Sequence, residues 1–154
     1  MYLVTQTRPD ISFPVQWLAR AFQASKRQHL VAAQNLFRYL YSYRHLAIRY
    51  SAKGLKNPLQ SSILEPIGYS DSDYAGDKAS SKSTYGYVFT LGGGPISWKS
   101  KRGSTIALST LEAEFIGLIE ATREIQWLRG LYIELNRPIP RPTILYGDNT
   151  GAIL

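Results

Sequence analysis

Three acids fall within seven residues in the stretch Ile67-Gly68-Tyr69-Ser70-Asp71-Ser72-Asp73-Tyr74-Ala75-Gly76-Asp77, where an apolar approach delivers Asp71, Asp73 and Asp77 and breaks at Ala75-Gly76. Aspartate suits a strand poorly, because its carboxylate competes for backbone hydrogen bonds and does not pack. Two kinds of chemistry account for it here. Either the acids close a turn, where Asp and Gly commonly gather, or they offer hard oxygen ligands to a cation, since residues i and i+2 of a strand share a face. A second apolar run ends the same way: Thr143-Ile144-Leu145-Tyr146-Gly147 leads straight into Asp148-Asn149.

A third acid comes from a helix. Ser109-Thr110-Leu111-Glu112 has the form of a capping box, which gives Glu112 a structural task and starts a helix predicted over about 110–136. Leu111, Phe115, Leu118, Thr122 and Ile125 recur at helical spacing and are expected to form its buried stripe, with Glu120, Arg123 and Glu124 on the solvated face. Glu114 is the misfit. At about 100° per residue it lies roughly 60° from Leu111, on the core side beside Ala121, Ile125 and Tyr132. Arg129 also falls on the stripe, which implies that the end of the helix overhangs the sheet.

The elements that must position these acids follow in order. The segments Tyr85-Gly86-Tyr87-Val88-Phe89-Thr90-Leu91 and Pro95-Ile96-Ser97-Trp98-Lys99-Ser100-Lys101, joined through Gly92-Gly93-Gly94, make an antiparallel meander with the Ile67 strand. Strand, long helix and strand then form a crossover that places the Thr143 strand parallel to an earlier one. Sites in such sheets gather beyond the carboxyl ends of strands. If the Thr143 strand lies beside the Ile67 strand, Asp71 and Asp148 become neighbours with Glu114 aimed at them. Three such carboxylates repel unless a cation neutralises them, and a hard divalent ion suits an all-oxygen set.

The first part of the chain differs in character. Of the net charge of +7, all sits in residues 1–66, which hold nine Lys and Arg against Asp10 and Glu65, whereas residues 67–154 are neutral. That distribution fits a grip on a polyanion, with Arg8, Lys26, Arg27, Arg38 and Arg44 as candidate phosphate contacts, and equally a well-solvated helical surface. Residues 10–22 read as a short helix with Pro14 in its first turn. Ser25-x-x-Gln28 caps a second helix running to about Tyr43, Ala47–Tyr50 reads as a short strand, and 51–66 as a linker. Tyr39, Tyr41 and Tyr43 suit core packing or backbone contact, and His29 and His45 read as surface or capping residues. The chain holds no cysteine, no run of apolar residues long enough for a membrane span and no signal pattern, so an intracellular protein is expected.

Together Tyr69-Ser-Asp-Ser-Asp-Tyr-Ala-Gly-Asp77, Ser83-Thr-Tyr-Gly-Tyr-Val-Phe89, Gly92-Gly-Gly-Pro-Ile-Ser-Trp98, Leu108-Ser-Thr-Leu-Glu-Ala-Glu114 and Tyr146-Gly-Asp-Asn149 resemble the ribonuclease H domain of copia-type retrotransposon Pol polyproteins. Thr7-Arg-Pro-Asp-Ile11 through Phe37-Arg-Tyr-Leu40 resemble the tail that joins the reverse transcriptase of such polyproteins to it. The resemblance implies an α/β (α+β) fold with a ribonuclease H-like mixed sheet, three antiparallel strands plus a parallel strand after the long helix. A basic helical tail (1–50) and a linker (51–66) would precede a ribonuclease H-like domain (67–154).

It further implies hydrolysis of the RNA strand of RNA/DNA hybrids by two Mg²⁺ (or Mn²⁺) ions on Asp71, Glu114 and Asp148, with Asp73 and Asp77 outside the principal ligand set. The partners implied are nucleic acid and the remainder of the Pol polyprotein, in the cytoplasm (within a virus-like particle) or the nucleus, with no membrane. Members of this family draw a fourth carboxylate from a later helix, so the chain reads as C-terminally truncated with impaired cutting. A non-catalytic nucleic-acid-binding module and an inactive transposon relic are the alternatives.

The charge division carries a test. Duplex affinity is expected to fall steeply with salt, and deleting residues 1–50 to abolish most of that dependence, as read from the slope of log affinity against log salt. An unchanged slope removes the basic-grip reading.

Overall fold

A computed structural model of the chain describes residues 2–51, 65–78 and 80–149. It divides into two compact units, Met1–Arg49 and Tyr50–Leu154. Most of the expected 51–66 linker lies outside the described residues.

The first unit is helical: α1 Tyr2–Gln6, α2 Ser12–Arg20 and α3 Arg27–Ser42, with single 3₁₀ turns at Pro9–Ile11 and Phe22–Ala24. Pro14 falls in the first turn of α2, where its missing N–H costs no hydrogen bond. The start of α3 shifts by one residue from expectation. Ser25 is extended, Lys26 takes the N-cap position, and Lys26 N–H donates to His29 Nδ1 at 2.9 Å. His29 thus does the reaching back that Gln28 was expected to do. Its ring also meets Trp17 edge-on at 5.2 Å.

Arg8 holds this unit together. Only 8% exposed, it donates from Nε and Nη2 to Asp10 at 2.9 and 2.7 Å and from Nη1 to the Tyr43 carbonyl at 3.3 Å, while Tyr39 Oη donates to Asp10 at 2.8 Å. The arginine beside it holds the Asp10 carboxyl below its ordinary value, and Tyr39 adds to the same effect.

The second unit is a four-stranded sheet with one helix packed on it. Its strands are β1 Ile67–Asp77, β2 Lys82–Leu91, β3 Gly94–Arg102 and β4 Ile144–Tyr146, ordered β3-β2-β1-β4, and the helix is α4 Thr110–Glu134. β1, β2 and β3 form the antiparallel meander, and β4 joins β1 in parallel. This is the mixed α/β, ribonuclease H-like arrangement. Gly92 and Gly93, with φ of 56° and 80°, make the tight hairpin between β2 and β3 that side-chain-bearing residues would strain to adopt. The expected strand at Ala47–Tyr50 is absent. A single main-chain hydrogen bond, Ser51 N–H to the Gly92 carbonyl at 2.7 Å, ties the chain to the hairpin there, too little to make a ladder.

Phe89, Ala121 and Leu128 form the buried core, with Tyr87, Ile96, Ile125 and Leu145 packed around them. The buried stripe of α4 differs from the expected one. Leu111 and Phe115 are 46% and 55% exposed, and the residues turned to the sheet are Ala113, Glu114, Gly117, Ala121 and Leu128. Two apolar stripes run along this helix, and the one built of small residues won because it lets the axis come close. A Cβ on Gly117 would stand 3.3 Å from Ser70 Oγ and 3.5 Å from Tyr85 Cβ. On the sheet side, a Cβ on Gly68 would run into the Phe89 ring.

The expected solvated face fails in part for the same reason. Glu124 accepts from Tyr87 Oη and Ser97 Oγ at 3.0 and 2.6 Å, and Glu120 pairs with Lys99 at 3.2 Å, so only Arg123 stands out in solvent. Arg129, near the end of α4, ties down the following loop through the Ile139 and Arg141 carbonyls. No helix among the described residues is long and apolar enough to cross a membrane.

The start of α4 is capped as its sequence predicts. Glu112 N–H donates to Ser109 Oγ at 3.1 Å, and Leu108 N–H to Glu112 Oε2 at 2.6 Å. Glu112→Ala is therefore expected to lower stability by about 0.5–2 kcal/mol in chemical denaturation. Divalent-ion affinity should stay unchanged, because Glu112 is committed to the helix end.

Candidate metal centre

The parallel pairing of β1 with β4 sets the geometry. Ile67 faces Ile144, Gly68 faces Leu145 and Tyr69 faces Tyr146, with the two tyrosine rings stacked at 5.4 Å. Asp71 and Asp148 each follow the last pair by two residues, which sets them at the same level; only β4 ends before its acid, whereas β1 runs on through Asp71 to Asp77 against β2. Glu114 comes from the second turn of α4. One carboxylate oxygen from each of Asp71, Glu114 and Asp148 lies within 4.8 Å of the others. The structure therefore brings together the three acids that the sequence singles out.

Their environments differ. Asp71 and Asp148 are exposed, whereas Glu114 is 8% exposed. Burial is the largest influence on the Glu114 carboxyl and pushes its pKa up, a hydrogen bond from Ser72 Oγ at 2.7 Å opposes this, and the charges of Asp148 and Asp71 push it up further. Among the described residues, no ion pair involves any of the three acids.

That arrangement fits a hard divalent cation. All donors are oxygen, the acids converge rather than spread, and the repulsion that raises Glu114 is what a cation would relieve. Asp71, Glu114 and Asp148 are the residues that could hold such an ion.

Asp73 and Asp77 do not join the cluster. The Asp73 carboxylate folds over the turn, occupying the space a side chain on Gly76 would need. Asp77 Oδ2 accepts from Arg102 Nη1 at 2.6 Å and from Ser80 Oγ at 2.8 Å. These two acids serve the turn at the end of β1, where the register shifts and Ala75 takes φ of 51°. The stretch thus divides: Asp73 and Asp77 serve the turn, and Asp71 alone of its acids joins the candidate centre.

Among the candidate phosphate contacts, Lys26, Arg27, Arg38 and Arg44 are exposed. Arg38 donates to Asn35 Oδ1, and Arg44 lies 4.7 Å from the Tyr41 ring centroid. Arg8 is a correction. Its guanidinium is spent on Asp10 and the Tyr43 carbonyl inside the first unit, so it has no face to offer a phosphate.

Sequence reasoning missed two serines at the centre. Ser72 grips Glu114, and Ser70 is buried with its hydroxyl unpartnered, close to where α4 passes at Gly117. Strand parity was the available signal: Gly68, Ser70 and Ser72 alternate onto one face of β1, the face α4 covers.

Known proteins similar to this chain cover most of it. It is 38% identical over 146 residues to the retrovirus-related Pol polyprotein from transposon RE1 of Arabidopsis thaliana, a match that takes in 95% of this chain and 9% of the polyprotein. With the retrovirus-related Pol polyprotein from transposon TNT 1-94 of Nicotiana tabacum the identity is 37% over 153 residues, 99% of this chain and 11% of the polyprotein. Secreted RxLR effector protein 161 of Plasmopara viticola is 39% identical over 128 residues, 83% of this chain and 84% of that protein. The chain thus spans about a tenth of the length of these transposon polyproteins. No protein-family profile matches it, and no solved structure does.

The raised Glu114 pKa has a definite sign. Its folded value lies above the ordinary 4.5, so the folded chain holds that proton more tightly than the unfolded one. Without metal, the fold loses stability as pH rises through 4.5 and the folded value. Glu114→Gln is expected to remove this loss and to be more stable than the parent near neutral pH in EDTA. Divalent ion at about 100 times its dissociation constant should stabilise the parent by about 2.7 kcal/mol and Glu114→Gln much less, as read from melting temperatures.

Proposed function

Because the chain belongs to the family of retrovirus-related Pol polyproteins of copia-type transposons, we propose that it is the ribonuclease H part of such a polyprotein. In this reading it hydrolyses the RNA strand of RNA/DNA hybrids and works alongside the reverse transcriptase. The observation that carries the proposal is the meeting of Asp71, Glu114 and Asp148, with carboxylate oxygens within 4.8 Å of one another just past the last paired residues of β1 with β4.

Each residue has a distinct task. Asp71 and Asp148 stand in solvent, where a long duplex reaches them without entering a cavity. Buried Glu114 offers its carboxylate from a rigid helix, and burial limits the directions in which it can turn. Bare, the three acids would repel a phosphate backbone, so they must act as cation ligands before nucleic acid approaches. Asp71, Glu114 and Asp148 would hold Mg²⁺ or Mn²⁺, which would supply the charge that makes a water nucleophilic near neutral pH and neutralises a leaving oxygen. Within the first unit, exposed Lys26, Arg27, Arg38 and Arg44 are the candidate phosphate contacts, of the kind that bind a duplex without reading its sequence. Selectivity for RNA is expected to rest on the 2′-hydroxyl.

A second reading, a non-catalytic nucleic-acid-binding module, is favoured by the concentration of the whole net charge of +7 in residues 1–66. It predicts duplex binding that needs no divalent ion and gives no cleavage.

The two separate in one assay, with a labelled RNA/DNA hybrid in Mg²⁺ or Mn²⁺. The proposed function expects cleavage of the RNA strand only, at the impaired rate expected of this chain. Asp71→Asn, Glu114→Gln or Asp148→Asn should each lower it beyond the roughly 10- to 100-fold typical of losing a partner of a metal ligand. Binding without cleavage under all of these conditions supports the module, and cleavage that survives Asp71→Asn removes the three acids from the reaction.

A further inference from the structure

Glu114 is a long side chain asked to do a positional task. Its neighbours Asp71 and Asp148 repel it, and its own torsions offer it several ways to turn aside. Among the described residues one residue alone hydrogen-bonds its carboxylate. Ser72 Oγ donates to Glu114 Oε1 at 2.7 Å, within the range of a charge-assisted O–H···O⁻ bond, and the main chain of Ser72 adds a second contact.

We propose that Ser72 is a positioning residue, whose hydroxyl holds Glu114 in the orientation in which it shares a cation with Asp71 and Asp148. The inference rests on the metal-centre reading above. Three observations support it. Ser72 directly follows Asp71 in the chain, so the two contacts of the centre are coupled through one peptide unit. It is opposite Tyr85 in a ladder that keeps pairing through Asp73 and Thr84, so the hydroxyl is carried by backbone with little freedom. The hydroxyl bonds a carboxylate that also has an oxygen within 4.8 Å of those of Asp71 and Asp148, so this bond restricts how Glu114 turns toward them.

A purely structural task for this hydroxyl, satisfying a buried carboxylate, predicts something different. Removing it would then lower the stability of the metal-free fold and leave intrinsic ion affinity alone. The discriminating readout is Mn²⁺ affinity, followed by the loss of the free-ion paramagnetic resonance signal well below the melting temperature of each variant. Ser72→Ala is expected to weaken Mn²⁺ binding about tenfold, the lower end of the loss for a partner of a metal ligand, because the main-chain contact remains. Ser72→Thr, which keeps the hydroxyl, is expected to bind within about threefold of the parent, on the same scale.

Ser72→Ala binding Mn²⁺ as tightly as the parent overturns the inference while leaving the metal centre standing. Ser72→Thr weakening as much as Ser72→Ala overturns it as well, since the hydroxyl would then not be the cause. A parent chain that takes up no Mn²⁺, and so matches Glu114→Gln, removes the metal-centre reading and this inference with it.

Discussion

Three residue pairs between β1 and β4 carry the architecture of the candidate centre. With Ile67 against Ile144, Gly68 against Leu145 and Tyr69 against Tyr146, two chain segments far apart in sequence lie side by side, their last shared pair two residues before an aspartate on each. A slip of one residue would turn Asp71 and Asp148 to opposite faces, because side chains alternate along a strand. What pins so short a ladder is packing. Leu145 joins the core around Phe89 on one face, and the stacked rings of Tyr69 and Tyr146 lock the other.

The centre is also where the fold opposes itself. Three acids converge, one of them buried, and among the described residues none is in an ion pair. Elsewhere in the same unit, carboxylates are treated conventionally: Glu120 meets Lys99, Asp77 meets Arg102, and Glu124 accepts from two hydroxyls. The contrast is a physical argument in its own right. A chain able to satisfy its other acids leaves these three mutually repelling, a local cost of the kind that accompanies sites rather than scaffolds.

Much of this was legible in the sequence, and the exceptions share a cause. The meander, the long capped helix and the parallel return strand follow from periodicity and turn residues, and Asp71 and Asp148 stand out because apolar runs lead into them. Glu114 was found from an incorrect premise. Helical spacing identified a stripe at Leu111 and Phe115, but the helix presents its small residues to the sheet, and Glu114 lies within that stripe rather than beside another. Hydrophobicity alone cannot choose between two apolar stripes, because the choice depends on how closely the sheet allows the axis to approach. Ser72 and Arg8 were opaque for a related reason. Serine and arginine are common on surfaces, and only tertiary contacts, with Glu114 in one case and Asp10 in the other, give them their tasks.

The close seating of α4 bears on how sequences of this kind diverge. Gly117 and Ala121 are buried against the sheet, and a Cβ on Gly117 would stand 3.3 Å from Ser70 Oγ, close enough that the serine would have to give way. On the opposite side, Leu111, Phe115 and Ile119 face outward with space around them. Drift is therefore channelled. One side of the helix can exchange residues at little cost, while side chains added on the other press on Ser70 and the β1 backbone from which Asp71 projects. The tightest restriction on the geometry of the candidate centre falls on residues that have no reactive group.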